Sequence, residues 1–232
     1  MEVSPILLKF AHFIQHLNII SLVIFIILVF MSVLSWYLII AKALQLGLAY
    51  WRSQRLLKLF WHVSSLKPVI TYLSQTKSTN DPFSHLALQG IKAAIYSKKR
   101  AEKQLVTICS HSEFITRNLR RAINEDTVRL NAGLTLLANI GSAAPFIGLL
   151  GTVLGIYDAF VIFSARENAA LNTVAVLVGE ALIMTALGLA VALPAVLGYN
   201  ILMRSNNAFL NQLEDFASDL HACLNTGTRI TR

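Results

Sequence analysis

Charge is what this sequence has least of. Asp, Glu, Lys and Arg make up 14% of its 232 residues, where soluble domains carry about a quarter, and 55% of the chain is hydrophobic. That shortage excludes an ordinary water-facing surface and points to an integral membrane protein. Cysteine is scarce as well: Cys109 and Cys223 show no CxxC spacing and no histidine cluster beside them. A disulfide framework and a zinc site are therefore set aside, and both are read as reduced thiols on the cytoplasmic side. No GxxxxGKS/T and no GxGxxG opening a βαβ unit occurs, so no nucleotide loop is expected. No nucleophile–base pair or metal-ligand cluster stands out, and no soluble domain of catalytic size lies outside the helices. The chain is expected to be no enzyme and to hold no cofactor. Basic residues outnumber acidic ones, 20 to 12. They sit beside apolar runs, which assigns them to membrane topology and not to nucleic acid.

What the chain does have is long uncharged stretches. No residue between Lys9 and Lys42 carries a full charge, and none between Arg129 and Asp158. The second run would be about 42 Å long as a helix, more than a hydrocarbon core needs. From Asn168 to Met203 the only charge is Glu180. The expected fold is an all-α membrane protein with three transmembrane helices (19–41, 133–160 and 171–203) and long cytoplasmic helical extensions. Fifteen of the twenty Lys and Arg fall between residues 42 and 129. The positive-inside rule puts the helical region 42–132 and the tail 204–232 in the cytoplasm. Residues 1–18 and the turn 161–170 are then outside. In the first of these, Ile6, Phe10, Phe13, Ile14 and Leu17 share one face of an interfacial amphipathic helix. His12 and His16 there are an i, i+4 pair without a third ligand nearby in sequence. The N-terminus does not read as a signal peptide, having an apolar run too long for one. Breaks are expected at Lys67-Pro68 and at Thr76–Pro82. Ser84 to Ala122 has helical spacing, and one long helix is expected from about residue 100 through the second span.

The stretch LVGEALIMTALGLAVALPA, Leu177–Ala195, carries Glu180 in its middle. A carboxylate at the centre of a membrane helix costs about 2.5–3.5 kcal/mol on insertion scales, so it reads as functional. Its structural alternative is an interhelical hydrogen bond. Small residues recur on both later spans: Gly141, Ala144, Gly148, Gly155 and Ala159 on one, Ala181, Gly188, Ala192 and Ala195 on the other. Such stripes let helices pack closely. Each stripe also holds one hydroxyl, Thr152 and Thr185, at similar depth in an antiparallel hairpin; counted from the turn, Glu180 falls near the level of Thr152 and Thr185 about one turn deeper. Glu180 lies about 140° around the helix from Thr185, which puts it towards the edge of the stripe, at a subunit interface. Three spans make a thin bundle, so a homo-oligomer would supply a lumen lined by Thr152 and Thr185. One glutamate and two threonines make an incomplete relay; a second chain is expected to bring the missing ionisable group.

NIGSAAPFIGLLGTVLGIYDAF (Asn139–Phe160) followed by GEALIMTALGLAVALPAVLGYN (Gly179–Asn200) resembles the paired motifs of the ExbB/TolQ/MotA proton-channel family. The likeness covers Gly133–Arg204 closely, and the three-span plan and the tail LEDFASDLHACL fit its ExbB branch. The resemblance implies a pentamer in the bacterial inner membrane around the single-span helices of an ExbD-like dimer. It implies that protons are the translocated ion, and that the assembly uses the proton motive force to energise a TonB-like transducer for import of iron–siderophores and cobalamin. It casts Thr152, Thr185 and Glu180 as ion-path residues, with Gly148, Gly155, Ala181, Gly188 and Ala192 packing the pore. The chain departs from the family pattern at Asp158, read as the outer edge of the second span, at Leu177-Val178 and at Met184. A TolQ-type subunit of the envelope-constriction system is the alternative within the family. Outside it stands a non-conducting scaffold, in which Glu180→Gln would preserve function.

Overall fold

The protein, as a computed structural model, is described over residues 19–62, 81–101, 111–165 and 171–226. The interfacial helix with His12 and His16, the break at Lys67-Pro68, Cys109 and the tip of the last turn lie outside these residues. Five helices make up the regular structure there: α1 (Ile19–His62), α2 (Pro82–Ala101), α3 (His111–Asn131), α4 (Leu134–Ala165) and α5 (Leu171–Thr226). Three stretches, Ile19–Gln54, Ser112–Ser164 and Val174–Asn225, contain windows long and apolar enough to cross a membrane. The all-helical membrane class expected from composition is thus what the chain adopts.

Two compact units are present. One combines Gly133–Ile201 with the segment ending at Ala41, the other Lys42–Ala132 with the segment starting at Leu202. The first is largely apolar inside and out, with Ser21, Ser35 and Thr152 as buried polar exceptions. Phe30, Tyr37, Phe146, Tyr157, Leu193 and Ile201 are all exposed, an apolar surface that suits lipid and would promote aggregation in water. Its interior is built from small residues, with Ala144, Ala159, Ala181, Ala192 and Ala195 buried. Without a hydrophobic driving force between helices, close backbone approach supplies the attraction. Pro145 and Pro194 stand inside α4 and α5, where each removes one backbone donor; the helices run on through both.

The second unit has a conventional core of Phe83, Leu86, Ile115, Leu119, Leu213, Phe216 and Leu220. Phe83 meets Phe209 edge-on, with centroids 5.4 Å apart. The Asp81-Pro82 pair opens α2. The Asp81 Oδ2 accepts from the Ser84 backbone N–H at 3.1 Å and from its hydroxyl at 2.6 Å, an N-cap followed by proline at the first helical position.

The single helix expected from about residue 100 through the second span does not form. α3 stops at Asn131 and α4 starts at Leu134, with Gly133 at φ 83°. A left-handed glycine just past a helix end is the usual stop, because any Cβ is penalised there. The last carbonyls of α3 are satisfied by side chains. Lys42 Nζ donates to Arg129 O and Leu130 O at 3.3 Å, and Asn206 Nδ2 to Leu130 O at 3.1 Å. α5 shows no such stop and continues past Arg204 to Thr226.

Candidate functional site

α4 and α5 form an antiparallel pair whose register is fixed by glycines. A Cβ on Gly141 would lie 2.6 Å from Val196 Cγ2, and one on Gly155 2.8 Å from the Ala181 Cβ. Between them Gly148 and Gly188 touch backbone to backbone, a Cβ on either falling 3.0 Å from the other's Cα. Each step of seven residues along α4 is therefore matched by seven or eight back along α5. That register sets Thr152 beside Thr185.

Their hydroxyl oxygens are 2.5 Å apart. Thr152 is buried, and its hydroxyl also lies 3.1 Å from Gly148 O and 3.0 Å from Leu149 O. A hydroxyl has one proton. While Thr152 gives its proton to the helix backbone, Thr185 must donate to Thr152, which leaves the Thr185 oxygen with acceptor capacity. The two hydroxyls thus make a short directional chain between two helices. The predicted packing residues Gly148, Gly155, Ala181 and Gly188 meet one another in this seam inside one chain, and Ala192 is buried.

Glu180 is not part of that pair. It lines a separate cavity of about 40 Å³ between α1, α4 and α5, together with Ser21, Gly151, Gly155, Asp158, Ala181 and Met184. The sequence reading put Glu180 at a subunit interface; within its own chain it lines this partly open cavity. Sequence reasoning missed two members of this cavity. Asp158 was read as the edge of the span, yet the register brings it within a turn of the level of Glu180. Ser21, 6% exposed, gave no signal beyond being polar in an apolar run.

The second unit holds two polar clusters of its own. The His85 Nδ1 and Asp126 Oδ2 are 3.0 Å apart across α2 and α3, and burial pushes the Asp126 carboxyl above the ordinary carboxylate range while His85 pulls it down. The Ser112 hydroxyl and the His221 Nε2 lie 3.1 Å apart, a proximity that 109 residues of separation hid. Thr116 and Asn225 crowd the same nitrogen at 3.1 and 3.0 Å, so the group reads as a polar clasp between α3 and α5. Among the described residues no group of three His, Cys, Asp or Glu side chains is placed to hold a metal, and Cys223 is a free thiol.

With this geometry in hand, likeness to known proteins is informative. The profile of the MotA/TolQ/ExbB proton channel family matches residues 84–215. The biopolymer transport protein ExbB of Xanthomonas campestris pv. campestris is 38% identical over 214 residues, covering 91% of this chain and 84% of that protein. The ExbB of Neisseria meningitidis is 31% identical over 201 residues, 87% of this chain and 90% of the relative. The Tol-Pal system protein TolQ of Pseudomonas aeruginosa is 32% identical over 212 residues, 91% and 90% of the two chains. The profile's reach across both units, and identities above 30% over nearly whole chains, establish that this protein is a member of the MotA/TolQ/ExbB proton channel family.

Proposed function

We propose that this chain is an ExbB-type subunit of an inner-membrane proton-channel motor. Five copies surround the single-span helices of an ExbD-like dimer, and the assembly uses the proton motive force to energise a TonB-like transducer for import of iron–siderophores or cobalamin. The N-terminus is periplasmic and the C-terminus cytoplasmic. The observation that carries this reading is the Thr152–Thr185 contact: two hydroxyls from different helices, meeting inside an apolar unit beside a helix pair too tight to hold a pore itself. One proton crossing 100 mV releases about 2.3 kcal/mol, so a few protons suffice for a mechanical step. The Thr185 acceptor face is where a partner carboxylic acid can deliver its proton, and Glu180 is a second titratable group on the path.

The double variant Thr152→Ala, Thr185→Ala tests this. It should co-purify with its partner and fail to support energised siderophore uptake; normal uptake would refute the ion-path role. The TolQ relatives, matched over as much of the chain as the ExbB ones, keep a second reading open, a subunit of the Tol-Pal system. Expression in cells lacking ExbB and in cells lacking TolQ separates the two. Restored uptake is expected in the first, and restored detergent resistance in the second would assign the chain to Tol-Pal instead.

A further inference from the structure

We infer that Asp158, Ser21 and Glu180 form a second proton-carrying station, displaced from the threonine pair towards the α4–α5 turn; this rests on the proton-channel reading above. Asp158 lies six residues beyond Thr152 and Glu180 five before Thr185. Along the helix axes that is a displacement of about 7–9 Å towards the turn from the hydroxyl pair. Asp158 and Glu180 both line one partly open cavity of about 40 Å³, with the buried Ser21 on its α1 wall. A single water needs roughly 10–15 Å³ measured in this way and two to four polar partners. The cavity therefore has room for about three or four waters, and three polar side chains to hold them. Gly151 and Gly155 form a tightly packed part of its wall, where an added Cβ would meet Met184, Ile24 or Ala181. Intramembrane carboxylates are costly enough that two on one small wet space call for a shared purpose. Here a hydrated proton passes between Asp158 and Glu180 through water, and so reaches the helix that carries Thr185. Neither threonine lines this cavity.

The test uses the full chain with its co-purified partner in vesicles loaded with a pH-sensitive dye, with proton influx driven by an imposed pH gradient and membrane potential. Asp158→Asn keeps size and hydrogen bonding but cannot carry a proton; influx should fall roughly a hundredfold with the complex intact. Asp158→Glu should restore most of the flux. A packing role would not distinguish these two, so equal loss in both overturns the inference, as does unchanged flux in Asp158→Asn. Should Asp158→Asn fail to assemble, Ser21→Val decides. It narrows the cavity without altering either carboxylate, and full flux through it would equally refute the station. The Thr152→Ala, Thr185→Ala variant is run alongside. If it conducts normally the channel reading itself fails; if it is blocked while Asp158→Asn conducts, only the station fails.

Discussion

Gly148 and Gly188 meet backbone to backbone where α4 crosses α5. A Cβ on Gly188 would sit 2.7 Å from Ala144 O and 3.0 Å from Gly148 Cα, and these neighbours are backbone, which cannot swing aside. Gly188→Leu should therefore separate α4 from α5, breaking the Thr152–Thr185 bond along with the seam. The expected loss is about 1–3 kcal/mol or more, as for overpacked cores, read as a lower midpoint in thermal unfolding in detergent. Gly47 has nothing within 4 Å of an added Cβ, so Gly47→Ala should leave that midpoint unchanged or raise it by helix propensity. Equal effects at the two glycines would mean that the seam is not what holds the unit. The stripe of small residues was legible in the sequence by its spacing. Which glycines touch was not, since spacing alone leaves the rotation of each helix undetermined.

At the scale of the element, helix ends are set by local chemistry. Gly133→Ala forces a Cβ into the left-handed region, at a cost of about 1–2 kcal/mol. It should lower the unfolding midpoint, while Gly133→Asn, which tolerates that conformation better, should lower it less. The α2–α3 pairing carries a pH dependence. Burial raises the carboxyl groups of Asp126 and Asp81 above the ordinary value of 3.8. A folded-state value above the unfolded one means that the folded unit holds those protons more tightly. Its contribution is complete below the ordinary value and is lost as pH rises through the raised one. The midpoint for the second unit should therefore fall across that acidic window, and fall less steeply in Asp126→Asn. A steeper fall in that variant would contradict the burial account. The sequence signalled the break before α2 through the turn cluster ending at Asp81-Pro82 but was read as having no cap before the second span. The helix was expected to run on, because apolar periodicity continues across the glycine and its φ is not visible in the periodicity.

For the whole molecule, the touching backbones at Gly148 and Gly188 leave no space for a pore between α4 and α5 at that level, in keeping with the proposed lumen between copies. Native mass spectrometry of the complex should give five copies of this chain with an ExbD-like dimer; a stable monomer that still conducts would contradict the arrangement. The separation of the chain into an apolar unit and one with a conventional core follows from composition. Fifteen basic residues lie between 42 and 129, and long runs with little or no charge make up most of the apolar unit.

The sequence by itself determined the class, the three spans and the identity of the hydroxyls and of Glu180, because burial in lipid forbids charge and makes every exception conspicuous. Helical rise counted from a turn gave the depth of Thr152 and Thr185 only to about one turn: it put Glu180 level with Thr152 and Thr185 a turn deeper, whereas Thr185 is the residue that meets Thr152. Only the tertiary structure decided that the hydroxyls bond to each other, that Glu180 turns to a different space, and that Asp158 and Ser21 share it. Those facts depend on how far each helix is rotated about its axis. That rotation is fixed by contacts between residues distant in the chain, among them Gly148 with Gly188 and Gly155 with Ala181, and no local pattern encodes it.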